Sequence, residues 1–146
     1  LKKFLEEPDG WIENKLNSCL VLSCCYQAMG ENAAAFDILF YSFTMDVPRA
    51  EICCEIGRLF MEKREYVTAA YWYQQALLAP RKKKNGGFYI ADSHDFIPAI
   101  QMCVCLDKAG RHREAFEFHK KARVLKPLHQ AVIGNEKYFR DVWGME

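Results

Sequence analysis

Landmarks that recur at a fixed distance are the strongest constraint this sequence places on its fold. Tyr26 and Ala35 return as Phe60 and Ala69, each 34 residues further on. They return again as Leu106 and Ala115 after 46 residues, the same 34 with 12 inserted. Gly110 matches Gly30, Ala122 matches Ala76, and Pro48, Pro80 and Pro127 close successive units. The clearest unit, Ala50 to Pro80, reads as two helices folded against each other. Small residues (Gly57, Ala69, Ala76) stand where helix axes must approach closely, and aromatics (Phe60, Tyr66, Tyr73) fill the rim. One such pair leaves an apolar flank bare, so each unit needs neighbours of its own kind.

A helix–turn–helix unit of this period with this small/aromatic pattern resembles the tetratricopeptide repeat. The resemblance implies an all-α fold, a right-handed superhelix of antiparallel helix pairs. It predicts one solenoid domain over residues 1–146. Repeats fall at about 16–48, 49–81 and 96–127, an insertion at 80–94 and a capping helix at about 130–143. A partial N-terminal helix is expected in Leu1–Glu7, ended by Pro8, with Asp9 as N-cap of a helix from about Gly10 to Met29. The chain opens on Leu rather than Met and inside this helix, so it reads as a piece of a longer protein.

Charge and cysteine content narrow the classes. Twenty basic side chains face nineteen acidic ones, so no global field draws the chain to nucleic acid or to a membrane surface. No run approaches the roughly 20 apolar residues of a membrane span. The seven cysteines (Cys19, Cys24, Cys25, Cys53, Cys54, Cys103, Cys105) are odd in number and all fall within predicted helices. Neither a disulfide framework nor a zinc knuckle has that arrangement, so they read as small buried hydrophobes in a reducing, cytoplasmic setting.

The insertion, PRKKKNGGFYIADSH, combines the basic run Arg81–Lys84, Gly86-Gly87 and the apolar triplet Phe88, Tyr89, Ile90. The basic run reads as a solvated helix exit that complements the helix dipole. The triplet reads as a candidate loop contact that folds back onto the helices. Asp95 is the expected cap of the third repeat, with Pro98 in its first turn. His119 takes the packing position of Tyr73.

No motif carries catalysis or a cofactor: there is no nucleophile elbow, phosphate loop or zinc-protease helix. The expected function is therefore recognition of a protein or peptide, with self-association or an upstream enzyme domain as further partners. By analogy with the repeat family, the inner groove is lined by Asn17, Cys24, Gln27, Glu51, Arg58, Glu62, Val104, Asp107 and Lys108. The variant of the family that clamps a chaperone's C-terminal carboxylate needs cations and an amide where this chain has Leu20, Cys24, Ile97 and Gln101. None of these can grip a carboxylate by charge, which speaks against that clamp.

Three strings carry a narrower resemblance: Pro48–Leu77, Gly86–Ala122 and Lys126–Phe139. In order, their AEICCE-G helix, Gly-Gly-Phe loop, IP-IQ-CVC helix and N-K-YF segment are similar to the C-terminal repeat region of bacterial family-2 glycosyltransferases. The resemblance implies a parent enzyme that moves a sugar from a nucleotide-sugar donor, with its catalytic domain outside these residues. A stand-alone adaptor that binds a peptide in its groove is the alternative.

Overall fold

The computed structural model describes residues 12–80 and 90–146. All regular structure among them is helical. Seven α-helices follow in order: α1 (Ile12–Ala28), α2 (Asn32–Tyr41), α3 (Ala50–Glu62), α4 (Tyr66–Leu78), α5 (Phe96–Lys108), α6 (His112–Leu125) and α7 (Gln130–Trp143). Short 3₁₀ turns stand at Ser42–Thr44 and Ala91–His94. The expected helix at Leu1–Glu7, the basic run Arg81–Lys84, Phe88 and Tyr89 lie outside the described residues.

Helices α1–α2, α3–α4 and α5–α6 pack as hairpins, and one backbone device closes all three. The N–H of Glu31 donates to the carbonyl of Tyr26 (2.8 Å), that of Glu65 to Phe60 (3.0 Å), and that of Arg111 to Leu106 (2.8 Å). Inside each of these bonds a second one runs from Gly30 to Gln27, Arg64 to Met61 and Gly110 to Asp107, at 2.9–3.0 Å. This double bond is the Schellman arrangement, which requires a left-handed residue just past the helix. That residue is Gly30 (φ +75°), Arg64 (φ +59°) and Gly110 (φ +84°). The next residues, Glu31, Glu65 and Arg111, share nearly the same backbone angles, φ −93° to −98° and ψ 65° to 74°. Ala35, Ala69 and Ala115 then make the first bond of each return helix and are completely buried.

The two landmark spacings read from the sequence therefore mark three copies of one turn. The middle copy differs in using Arg64, an L-residue with a side chain, where the others use glycine. A left-handed L-residue costs about 1–2 kcal/mol.

Small residues open the crossing inside each hairpin. Ser23, Gly57 and Cys103 are equivalent by the same spacings, and all three are buried. A Cβ at Gly57 would lie 2.8 Å from Cε2 of Tyr73 and 3.0 Å from two further atoms of that ring. The return helices bury Leu39, Tyr73 and His119 at one matched position, and the next is buried as well, by Ser42 of the 3₁₀ turn after α2 and by Ala76 and Ala122. The core runs through neighbouring pairs, because Phe60 and Trp72 pack against both the α2–α3 cluster and the cluster spanning α3 to α7.

Side chains tie the pairs together. Arg49, just before α3 and almost fully buried, forks onto Glu13 of α1 (2.8 and 2.9 Å) and onto Asp46 (2.7 Å). Hydrogen bonding to Glu13, then Asp46, outweighs burial and raises the guanidinium pKa further. The end of the insertion is pinned to α3, with the Ile90 N–H on Glu51 (2.6 Å) and the Cys54 thiol on the Ser93 carbonyl (3.3 Å). Asp95 accepts from the Phe96 N–H (2.5 Å), the cap its position predicts.

Helix α7 packs against α6. Val132 and Phe139 are buried in it, and Glu136 binds His119 Nε2 (2.6 Å) and Arg123 (2.8 Å) of α6. The carboxylate can only accept, so Nε2 carries the proton in that bond. Ile133 and Val142, two apolar residues of the same helix, face outward instead.

Two substitutions test this frame. Arg64→Gly should raise stability by about 0.5–1 kcal/mol, the left-handed penalty less the added freedom of glycine in the unfolded chain. Gly110→Ala should lower it by about 1 kcal/mol, since no atom stands within 4 Å of its Cβ site and only the backbone objects. Urea unfolding reads both, and equal midpoints for the two variants would contradict the shared turn. Gly57→Leu should cost roughly 1–3 kcal/mol or more by driving into the Tyr73 ring, and an unchanged melting curve would refute that crossing.

Candidate functional site

The first helix of a pair keeps one face on its own partner and another on the neighbouring pair. Its remaining face is where polar side chains can gather, and in α1 and α3 they do. Gln27 on α1 donates to Ser23 (3.0 Å) and to Glu55 on α3 (3.0 Å). Arg58 donates to Gln27 and Glu55 in short bonds through one terminal nitrogen, and through the other to Glu62 (2.6 Å). The order Glu55, Arg58, Glu62 puts three charges on one face of α3 at spacings of three and four. Gln27 crosses from the neighbouring helix to join them.

Burial alone would raise the Glu55 carboxyl, but hydrogen bonds from Arg58 and then Gln27 outweigh it and hold it below its ordinary value. Its ionised form is thereby fixed at neutral pH. The contribution of this group to stability is present above its ordinary pKa of 4.5 and disappears as the pH falls below it. The cluster is partly exposed: the Arg58 side chain is 42% accessible and that of Glu62 52%. It offers carboxylate acceptors, one guanidinium and one amide, with a net charge of −1 from Glu55, Glu62 and Arg58.

Of the residues expected in the groove, Gln27, Arg58 and Glu62 are thus brought together. Asn17 and Cys24 are exposed on α1, and Cys24 lies close enough to the cluster for Glu55 to act on its thiol. Burial first, and Glu55 second, raise that thiol above its ordinary value. Glu51 is placed elsewhere. It is 4% exposed and turned inward, onto the Ile90 N–H and His94 Nε2 (3.5 Å), where it anchors the insertion rather than facing an open surface. Ile90 itself is half-exposed and held by that bond.

The residues on α5 form a separate group. Asp107 accepts from the Tyr138 hydroxyl of α7 (2.7 Å) and pairs with His112 Nδ1 (2.6 Å). Trp143 stacks on His112 at 3.9 Å between centroids and donates to the Tyr138 oxygen (3.1 Å). Val104 is half-buried and Lys108 exposed. Among the described residues, no hydrogen bond or ion pair joins this group to the Arg58 cluster. Helix α7 engages the polar face of α5, whereas that of α3 stays available.

Sequence reasoning missed Glu55, the residue that connects Gln27 to Arg58. Its signal was present in the three- and four-residue spacing of Glu55, Arg58 and Glu62. Its partner on another helix had no local signal.

Among the described residues no group of His, Cys, Asp and Glu has the arrangement to hold a metal ion. No described helix is long and apolar enough to cross a membrane. None of the seven cysteines is disulfide-bonded, and five are buried. Burial pushes the thiol of Cys19 up to about 11 and those of Cys103 and Cys105 up to about 12. No known family model matches the chain. No curated protein matches it either.

The thiols give a direct check on this geometry. Titration with an aromatic disulfide reagent at neutral pH should show two fast thiols, Cys24 and Cys25, with all seven reacting only in denaturant. Four or more fast thiols in the native protein would contradict the burial described.

Proposed function

We propose that the chain is a tetratricopeptide-type solenoid of three repeats, a right-handed superhelix capped by α7, that recognises a protein segment and performs no catalysis itself. The observation that carries this reading is the turn repeated three times at the landmark spacings of 34 and 46 residues. A period of this length with a helix–turn–helix unit is what that repeat class uses. The recognition surface is the exposed face of the first helices, centred on Gln27, Glu55, Arg58 and Glu62 and flanked by Asn17 and Cys24. Its carboxylates and amide suit a segment that brings backbone N–H groups and a basic side chain.

The resemblance of Pro48–Leu77, Gly86–Ala122 and Lys126–Phe139 to the repeat region of bacterial family-2 glycosyltransferases supports a role beside such an enzyme. There the repeats would assemble the enzyme or present its acceptor in the cytoplasm. A stand-alone adaptor uses the same surface on a separate partner.

Panning a displayed peptide library against the chain tests the recognition claim. Selected peptides should be enriched in Lys or Arg and should lose at least about tenfold in affinity on Glu55→Gln combined with Glu62→Lys, which leaves Arg58 and the new lysine without a facing carboxylate on α3 and so reverses the sign of the charge-assisted contact. Peptides whose affinity is indifferent to that pair of changes, or no selection at all, would refute the assigned surface. Calorimetry with a uridine diphosphate sugar should show no binding, and a saturable heat would overturn the non-catalytic reading.

A further inference from the structure

Helix α4 has no ionisable side chain except tyrosine. Its thirteen residues, Tyr66–Leu78, include neither an acid nor a base, although it is the return helix of the middle pair and has an outer face in solvent. On that face stand Val67 (65% exposed), Tyr71 (57%) and Leu78 (68%), with Gln74 half-exposed between the last two. Their spacing alternates four, three and four residues, the spacing of the seam in paired helices. The matched positions on α6 are Arg113, Glu117, Lys120 and Val124, a charged surface apart from its last member. On α2 and the 3₁₀ turn that follows it they are Ala33, Asp37, Phe40 and Thr44. The apolar seam therefore belongs to the middle pair and is no general property of the repeat.

The seam has a built surround. Tyr71 meets Trp72 edge-on at 5.3 Å, and Trp72 lies against Phe43 (5.9 Å, stacked) and Phe40 (5.6 Å) of the preceding pair. On the other side Val67, Ala70, Tyr71 and Gln74 line a groove of about 370 Å³ shared with Met102, Leu106 and Phe118. Among the described residues, the only charges lining it, Arg111 and Glu114, are paired with each other at 2.6–2.8 Å. An aromatic platform and an apolar groove thus flank a helix that presents no charge.

We infer that this face is an interface with a second copy of the chain, α4 packing against α4 about a two-fold axis. Charge decides the occupant. In a two-fold contact the same patch meets itself, so a charged face sets like charges opposite one another near the axis. The outer face of α6 would suffer that repulsion, and that of α4 does not. A partner of opposite charge, conversely, would find nothing on α4 to complement. Thirteen helical residues span only about 20 Å, too little for a stable helix pair alone, so the Phe40–Trp72 platform and the groove beside Met102 complete the contact. Tyr71, large and held in place by Trp72, is the anchor. This interface lies apart from the Arg58 cluster and stands or falls independently of the peptide reading.

Light scattering on the whole chain tests it, over a series from about 1 to about 200 μM, where an interface of modest size dissociates. The mass should climb from 17.0 kDa toward twice that value. Tyr71→Glu and, separately, Leu78→Lys should hold it at 17.0 kDa throughout, with the helical circular dichroism of the parent. Val124→Glu, on the exposed end of α6, should dimerise as the parent does. A parent that stays monomeric across the series overturns the inference. So does a dimer that survives both α4 substitutions, or one lost equally with Val124→Glu. Should either α4 variant misfold, the other still decides.

Discussion

A single backbone bond, from the third residue past each first helix to the carbonyl five residues earlier, sets the geometry of everything else. Formed at Tyr26, Phe60 and Leu106, it reverses the chain with the same dihedral angles each time. Because the reversal is the same, Ala35, Ala69 and Ala115 arrive at equivalent places and bury completely. The close helix approach follows from the small residues opposite, of which Gly57 is the extreme case, filled by the Tyr73 ring. Hydrophobic burial then supplies the driving force, but the turn decides which faces are buried.

Each first helix consequently has a polar face left over, and its fate varies along the chain. In the first two pairs, Gln27, Glu55, Arg58 and Glu62 saturate one another while remaining open to a partner. In the third pair, α7 supplies Tyr138 to Asp107 and Trp143 to His112, so this polar face is engaged within the chain. The polar face of α3 and the uncharged face of α4 are thus two distinct exposed surfaces. On the proposals made above, the polar face centred on Arg58 takes a segment with basic groups, and the apolar face of α4 takes a second copy of the chain.

Much of the frame was legible from residues alone, since local periodicity and turn chemistry act over a few positions. Helices α5, α6 and α7 begin and end where Asp95, Pro98, Gly110 and Pro127 say they should. Two features were not legible. Arg64 holds a left-handed turn that glycine marks elsewhere, because tertiary packing on both sides enforces the reversal against the local preference. Glu51 was expected on an open surface and is instead spent on the insertion, a contact 39 residues distant that no local pattern encodes. The Arg58 cluster lies between these cases: its three α3 charges follow helical spacing, while Gln27 joins from another helix. Buried Arg49, bridging Glu13 and Asp46, had no sequence signal at all beyond its place before a helix.

Amide hydrogen exchange, resolved by residue, tests the repeated turn most directly. The N–H groups of Glu31, Glu65 and Arg111 are bonded at 2.8–3.0 Å, although each side chain lies in solvent. The account predicts that all three exchange slowly, with protection comparable to the adjoining helices. Exchange of these three amides at the rate of an unstructured peptide, beside helices that stay protected, would contradict it.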